Sequence, residues 1–163
     1  GVKREFRWYR NGLRGYYINL SRAVERRRNC EEEIEKTEIE IERFEAVEVG
    51  EVTRGTLSSA ELGCLKSHLN VLLKTDSELT LILEDDFQLC ENFDSELKKC
   101  LDELPSNFQA LWLGGRIVGK SEKHSDNLVK VNGMTGTYGY IVHYSFIDSL
   151  IEALSKEATL AEW

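Results

Sequence analysis

Three consecutive carboxylates, Glu84, Asp85 and Asp86, directly follow the strongly apolar run 79–83. Adjacent negative charges repel one another, and hydration, hydrogen-bond donors or a cation must offset that repulsion. Oxygen ligands without neighbouring His or Cys partners favour Mg²⁺ or Mn²⁺, which usually bind one or two carboxylates together with substrate phosphates. The triplet therefore predicts a metal-diphosphate site. A solvated turn between a strand and a helix is the alternative interpretation.

Strand and helix signals alternate along the chain on both sides of this triplet. The predicted strands are 15–21, 41–49, 79–84, 110–115 and 137–144, and the predicted helices are 23–37, 58–75, 94–103 and 145–154. Such alternation predicts an α/β/α sandwich with a largely parallel central sheet. In sheets of this kind, ligands bind outside the carboxyl ends of the strands. The triplet lies at such an end.

The helix predicted to follow Ser58 has the clearest local signals. Ser58 and Glu61 have the spacing of a capping box, in which each side chain bonds the backbone N–H of the other residue. Five leucines follow at spacings typical of an amphipathic helix packed on a core. Gly63 lowers helix propensity by about 1 kcal/mol relative to Ala, which indicates close approach by another backbone or a ligand.

Composition narrows the class of protein. The 163 residues carry a net charge of -8, which is consistent with one domain and disfavours nucleic acid as a partner. The four cysteines form no CxxC pair or metal-like cluster, and no apolar segment of signal-peptide type is present. No apolar run approaches the ~20 residues of a membrane span. These features predict reduced thiols and a cytoplasmic location.

Charge is unevenly distributed near the start of the chain. Residues 1–28 contain nine basic and two acidic side chains, whereas 29–51 contain ten glutamates and two basic residues. The basic arm, 1–14, also contains Trp8 and Tyr9. Aromatic and basic residues together favour peripheral contact with an anionic membrane, on its inner face for a cytoplasmic protein. An arm packed on the protein's own glutamates is the alternative.

Several motifs together resemble glycosyltransferase family 25. They are YYINLSRAVERR, SSAELGCLKSHLNVLL, LTLILEDDFQL, LWLGG and GTYGYIVHYSFIDSLIEAL, and they follow the order and approximate spacing of that family over 15–156. The family includes lipooligosaccharide glucosyl- and galactosyltransferases and the catalytic domains of collagen galactosyltransferases. The resemblance implies a GT-A fold, with 1–163 as a single domain.

The resemblance also implies roles for individual residues. The triplet matches an acidic motif that coordinates Mn²⁺ or Mg²⁺ on the diphosphate of a UDP-sugar, with Glu84 and Asp86 as the metal ligands. The residues that match donor-binding positions are Asn19, Arg22, Arg26, His68 and Asp85. Two alternatives stay open: the arginines pair with nearby glutamates, and His68 is a core residue of a mainly apolar helix.

The implied activity is inverting transfer of galactose or glucose from a UDP-sugar to a saccharide or lipooligosaccharide-type acceptor. Family members usually continue past the last helix, whereas this chain stops at KEATLAEW. A truncated C-terminus is therefore an open expectation, and no residue is assigned as the catalytic base. The alternatives are a non-catalytic binding or adhesion module and a metal-dependent phosphohydrolase. The sequence does not indicate an oligomeric state.

Overall fold

A computed structural model of the chain describes residues 12–51, 57–136 and 138–162, with side chains described as far as residue 158. Its strands are β1 (Leu13–Asn19), β2 (Ile41–Glu45), β3 (Leu79–Glu84), β4 (Ala110–Trp112), β5 (Arg116–Lys123), β6 (Val129–Thr135) and β7 (Gly139–His143). Its helices are α1 (Val24–Ile34), α2 (Ser59–Lys74), α3 (Phe93–Glu103) and α4 (Tyr144–Glu162). None of the described helices combines the length and apolarity needed to cross a membrane.

Five strands form the central sheet in the order β2-β1-β3-β7-β4. β1 lies parallel to both β2 and β3, whereas β7 runs antiparallel to β3 and β4. β2, β1, β3 and β4 therefore point one way and β7 the other. The predicted α/β class with a largely parallel sheet is confirmed, and the sheet is compatible with a GT-A-like fold.

Helices cover both faces of the sheet. On one face, Cys30 of α1 and Leu97 of α3 pack with Leu81 of β3, and on the other, Val71 of α2 and Ile147 of α4 share a cluster with strand residues. β3 is buried on both faces from Leu79 to Leu83, which explains its continuous apolar sequence. Burying one such leucine side chain contributes about 1.5–3 kcal/mol. The three layers place the carboxyl end of β3 between helices.

The local signals at the start of α2 are confirmed. Ser58 Oγ accepts a hydrogen bond from the Glu61 N–H at 3.1 Å, and the Glu61 carboxylate accepts one from the Ser58 N–H at 3.2 Å. At Gly63, a Cβ atom would lie 2.8 Å from the carbonyl oxygen of Val47. Gly63 was predicted to allow close approach by another backbone or a ligand, and the group that approaches it is the backbone of the segment after β2.

Several predicted boundaries were wrong. β1 begins at Leu13, which pairs with Leu79, and the strand therefore includes the last two residues of the predicted basic arm. β2 ends at Glu45 instead of residue 49, because the Val47 N–H turns to α2 and donates to Ser67 Oγ at 2.8 Å. α1 ends at Ile34, and α4 continues well past residue 154. Residues 1–11 of the basic arm lie outside the described residues.

The largest element that the sequence patterns did not predict is the antiparallel hairpin of β5 and β6. β5 is exposed along its whole length and β6 along most of its length; β5 does not alternate between apolar and polar residues, and β6 alternates only over the four residues 129–132. A strand pair without a buried face keeps little of the period of two on which strand prediction depends. The segment 132–140 begins inside β6 and ends inside β7.

Candidate functional site

The three carboxylates of the triplet have different surroundings. Glu84 is the last residue of β3, and Asp85 and Asp86 form the turn that follows. The side chain of Glu84 contacts α2, that of Asp85 contacts β1 and α1, and that of Asp86 is exposed. Successive side chains of an extended strand point to opposite faces, which accounts for the separation of Glu84 from Asp85.

Both oxygens of Asp85 have a donor. Asn19 Nδ2 donates to Oδ2 at 2.8 Å, and Arg26 Nη1 donates to Oδ1 at 3.1 Å. The Asp85 side chain is 14% exposed, whereas that of Arg26 is 64% exposed. The structure thus brings together three of the predicted donor-binding residues at the adjoining ends of β1 and β3.

Asn19 connects this carboxylate to β2. Its Oδ1 accepts a hydrogen bond from Arg43 Nε at 2.9 Å, and its carbonyl oxygen accepts one from Arg43 Nη2 at 2.8 Å. Arg43 also pairs with Glu45. Sequence reasoning did not select Arg43. The available signal was a basic residue near the end of a strand otherwise rich in glutamate. We call Asn19, Arg26, Arg43 and Asp85 the amide-guanidinium network.

Cys30 of α1 lies beneath this network. Its Sγ donates to the carbonyl oxygen of Asp85 at 3.2 Å, and the side chain is buried. Burial, with a further contribution from the negative charge of Asp85, raises the pKa of the Cys30 thiol to about 12. Cys30 is therefore a protonated structural thiol that fixes the backbone of the turn.

Glu84 has a different environment on the other face. Its Oε1 lies 3.5 Å from Cys64 Sγ and 3.4 Å from His68 Nε2, both on α2. Nδ1 of His68 is hydrogen-bonded to the hydroxyl of Tyr140 at 2.8 Å, and the two rings are stacked. Burial raises the pKa of Tyr140 far above its usual value, with smaller contributions from Cys64 and Glu84. We call Cys64, His68 and Glu84 the thiol-imidazole-carboxylate triad.

Two sequence expectations are corrected here. The triplet was expected to lack His and Cys neighbours, but α2 brings Cys64 and His68 to Glu84. The cysteines were expected to take no part in a metal-like cluster, yet Cys64 joins one. The overlooked signal was the spacing of four residues between Cys64 and His68, which places both on one face of a helix. His68 is also a core residue, as the alternative interpretation held.

Arg22 has another environment. It lies in the turn after β1, and its Nη2 pairs with the Glu48 carboxylate at 2.8 Å. Both side chains are exposed. This contact matches the alternative in which arginines pair with nearby glutamates, and among the described contacts Arg22 has none with the amide-guanidinium network.

Backbone-lined segments border the same end of the sheet. The Leu113 N–H donates to the Gly139 carbonyl at 2.9 Å, and the Glu84 N–H donates to the Tyr138 carbonyl at 3.2 Å. Gly115 has a φ of 135°, and a Cβ there would lie 2.7 Å from the Thr135 carbonyl oxygen. The segment after β4 and the residue before β7 therefore lie beside Glu84, and the space at Gly115 is taken by the backbone of β6.

The donor atoms at this end suit two kinds of cation. Glu84 and Asp86 offer the carboxylate oxygens that Mg²⁺ and Mn²⁺ prefer, while Asp85 is already bonded to Asn19 and Arg26. Among the described residues, one group of three His, Cys, Asp or Glu side chains has its ligand atoms within 4.8 Å of one another, and that group is the thiol-imidazole-carboxylate triad.

Comparison with known proteins gives consistent matches. A family model described as Glycosyltransferase family 25 (LPS biosynthesis protein) matches residues 50–134, just over half of the chain. A Drosophila melanogaster protein named Glycosyltransferase 25 family member is 27% identical over 156 residues, covering 78% of this chain and 26% of the relative. Homo sapiens Procollagen galactosyltransferase 2 is 23% identical over 169 residues, covering 85% and 27%. The chain thus spans about a quarter of the length of these relatives.

Proposed function

The chain belongs to glycosyltransferase family 25, and on that premise we propose that it transfers galactose or glucose from a UDP-sugar to a saccharide or lipooligosaccharide-type acceptor, with inversion at the anomeric carbon. The observation that carries this proposal is the amide-guanidinium network. It places a satisfied carboxylate, Asp85, beside an exposed one, Asp86, at the adjoining ends of two parallel strands. Nucleotides bind at such ends in α/β sheets.

Asn19 and Asp85 have a positioning role in this proposal. Asn19 is 1% exposed and is hydrogen-bonded to both Asp85 and Arg43. These bonds hold the Asp85 carboxylate in one orientation. Arg26 is exposed, and its guanidinium has five N–H donors. One of them faces Asp85, and the others can donate to a phosphate oxygen. The donor diphosphate would therefore lie over Arg26, at the edge formed by β1 and α1.

Glu84 and Asp86 are the proposed ligands of Mn²⁺ or Mg²⁺ in the donor complex. When bound, such a cation supplies stabilisation of the negative charge that develops on the departing UDP. Asp85 is then not required as a metal ligand, because Asn19 and Arg26 already offset its charge. One or two carboxylates are the usual protein ligands of Mg²⁺, and substrate phosphates supply further ligands.

The proposed acceptor side is bordered by the segment after β4 and by Tyr138. Tyr138 is exposed, and its carbonyl is bonded to the Glu84 N–H, which links this residue to the end of β3. Small-molecule sites are lined mainly by apolar and aromatic side chains, with a few polar groups such as backbone N–H and C=O that orient the ligand. Peripheral contact of the arm 1–14 with an anionic membrane stays a separate proposal, since most of that arm lies outside the described residues.

The experiment has a binding arm and a transfer arm. Calorimetry of UDP with the full chain is run in Mn²⁺ and in EDTA, and we expect clear binding only with Mn²⁺, because the carboxylates and the diphosphate repel each other. Equal UDP affinity in both buffers would contradict the proposed metal role. UDP-galactose and UDP-glucose are then incubated with saccharide acceptors. Metal-dependent binding without transfer would favour the binding-module alternative, and acceptor-independent release of phosphate would favour the phosphohydrolase.

A further inference from the structure

We propose that Cys64, His68 and Glu84 form a binding site for a thiophilic divalent metal ion of the zinc class. Their ligand atoms lie within 4.8 Å of one another, and they come from two elements that meet at the end of the sheet, α2 and β3. The site needs neither a nucleotide nor a sugar. It shares Glu84 with the magnesium or manganese site proposed above, but its ligand chemistry and its test are independent of glycosyl transfer.

The separations of the ligand atoms match a tetrahedral ion. With metal–nitrogen and metal–oxygen bonds of about 2.0 Å and a metal–sulfur bond of about 2.3 Å, tetrahedral geometry sets the N–O distance near ~3.3 Å and the S–O distance near ~3.5 Å. Nε2 of His68 lies 3.4 Å from Glu84 Oε1, and Sγ of Cys64 lies 3.5 Å from the same oxygen. Two of the three separations therefore already have tetrahedral values, and the third, between Sγ of Cys64 and the His68 ring nitrogen, is within 4.8 Å.

His68 supplies the second observation. Its side chain is 5% exposed, and Nε2 makes no hydrogen bond with any described residue. Oε1 of Glu84 is within ion-pair distance of this nitrogen but lies outside hydrogen-bond geometry. A buried polar nitrogen without a hydrogen-bond partner carries a free-energy cost of about 1–3 kcal/mol, which a bound metal ion would remove.

The other ring nitrogen has the partner expected of a metal ligand. Histidines that bind metals almost always use their second nitrogen to donate a hydrogen bond, which fixes the tautomer and the ring orientation. Nδ1 of His68 is hydrogen-bonded to the Tyr140 hydroxyl, and Tyr140 is itself held by stacking on Trp112. With Nδ1 as donor to that oxygen, the lone pair of Nε2 faces Cys64 and Glu84.

The ligand types select the metal. A thiolate with an imidazole and a carboxylate favours Zn²⁺, whereas Mn²⁺ and Mg²⁺ favour sites made only of oxygen atoms. Cys64 is exposed and Glu84 is partly exposed, which leaves a fourth position open to water or to a ligand. Binding releases a proton from the thiol, because the thiolate is the form that coordinates.

The test uses Co²⁺ as a spectroscopic probe on the full chain, without nucleotide. We expect a thiolate-to-cobalt charge-transfer band and the intense visible bands of tetrahedral cobalt, both removed by a stoichiometric addition of Zn²⁺. Cys64→Ser should abolish the charge-transfer band and weaken Zn²⁺ binding by at least about tenfold, measured by competition with a chromophoric chelator. Cys90→Ser, a change at another exposed cysteine, should leave both readouts unchanged.

A second variant tests the role of His68 without enlarging the core. Tyr140→Phe keeps the ring stacking and removes the hydroxyl that bonds Nδ1, and we expect Zn²⁺ affinity to fall about tenfold. Absence of the charge-transfer band in the unaltered protein, or its persistence in Cys64→Ser, would overturn the proposal. Unchanged affinity in Tyr140→Phe would overturn the part assigned to His68. A failure of UDP to bind leaves each of these results intact.

Discussion

The negative charges on the two sides of the Glu84–Asp86 turn are surrounded by different chemical groups. On the side of β1 and α1, nitrogen donors surround Asp85, and its charge is offset within the protein. On the side of α2, Glu84 accepts a hydrogen bond from the Cys64 thiol and faces Nε2 of His68, which makes no hydrogen bond with any described residue. The first side is organised without a ligand, whereas the second is the metal site that we propose. Adjacent residues of one motif can therefore have unrelated roles.

This difference has a consequence for how the turn binds cations. A carboxylate whose oxygens both accept charge-assisted hydrogen bonds is a poor metal ligand, because those bonds must first be broken. Asp85 therefore anchors the turn, and this leaves Glu84 and Asp86 as the metal ligands that we propose. Occupation of the triad by Zn²⁺ would withdraw Glu84 from the diphosphate side.

The largest expected effect comes from removing the centre of the amide-guanidinium network. Asn19→Ala removes the side-chain partner of Asp85 Oδ2 and of Arg43 Nε, and we expect a loss of about 2–4 kcal/mol in the free energy of unfolding. Urea denaturation measures it. Asn70→Ala, at an exposed position of α2, is the control and should change stability by less than about 0.5 kcal/mol. A loss at Asn19 as small as at Asn70 would show that the network is not organised as described.

The exposed member of the turn should affect ligand binding and not stability. Asp86→Asn removes a proposed metal ligand at the surface, and we expect UDP affinity in Mn²⁺ to fall at least about tenfold, or about 1.4 kcal/mol. The melting temperature without ligand should stay unchanged. Asp102→Asn, an equal change of charge at an exposed position of α3, should leave UDP affinity unaltered. Unfolding of Asp86→Asn would instead identify the turn as structural.

The layers of the fold could be predicted from sequence because their signals are local. The apolar run of β3 and the capping box of α2 depend on residues close together in the chain, and both were located correctly. The hairpin β5–β6 could not be predicted, since it has no buried face to impose a pattern. The chemistry on each side of the triplet has no local signal, because the partners of Glu84 and Asp85 lie more than 15 residues away in the chain.

A matched pair of variants compares the two sides directly. Asp85→Asn keeps the shape but weakens two hydrogen bonds and leaves Arg26 without its counter-charge, and we expect a loss of about 1–2 kcal/mol in the free energy of unfolding. Glu84→Gln changes a carboxylate that contacts the Cys64 thiol and the His68 ring on α2, and we expect the weak thiol donor to make its loss smaller than that of Asp85→Asn. Chemical denaturation of both variants gives the comparison. Equal losses would mean that the two sides stabilise the turn alike.

The smallest effect concerns pH and lies on the α1 side. Glu33 accepts hydrogen bonds from Lys36 and from the Leu89 N–H, and these bonds, that from Lys36 foremost, lower the pKa of Glu33. A depressed pKa in the folded state means that the stabilisation is present above the unfolded pKa, near ~4.3, and is lost as pH falls through the folded value. We expect Glu33→Gln to cost about 1 kcal/mol at neutral pH and to lose that difference in acid.

The control for this prediction is Glu32→Gln, at the adjacent exposed position of α1. Both variants remove one negative charge from the same helix, and a general effect of net charge would appear equally in each. Urea denaturation of the three proteins at neutral pH and at pH values below the usual range of a glutamate gives the comparison. The stability difference between Glu33→Gln and the unaltered protein could instead stay constant as the pH falls. In that case the charge of Glu33 does not hold the segment after β3 against α1. We expect the stabilities of Glu33→Gln and the unaltered protein to become equal in acid. That result would mean that the charge of Glu33 holds the segment after β3 against α1.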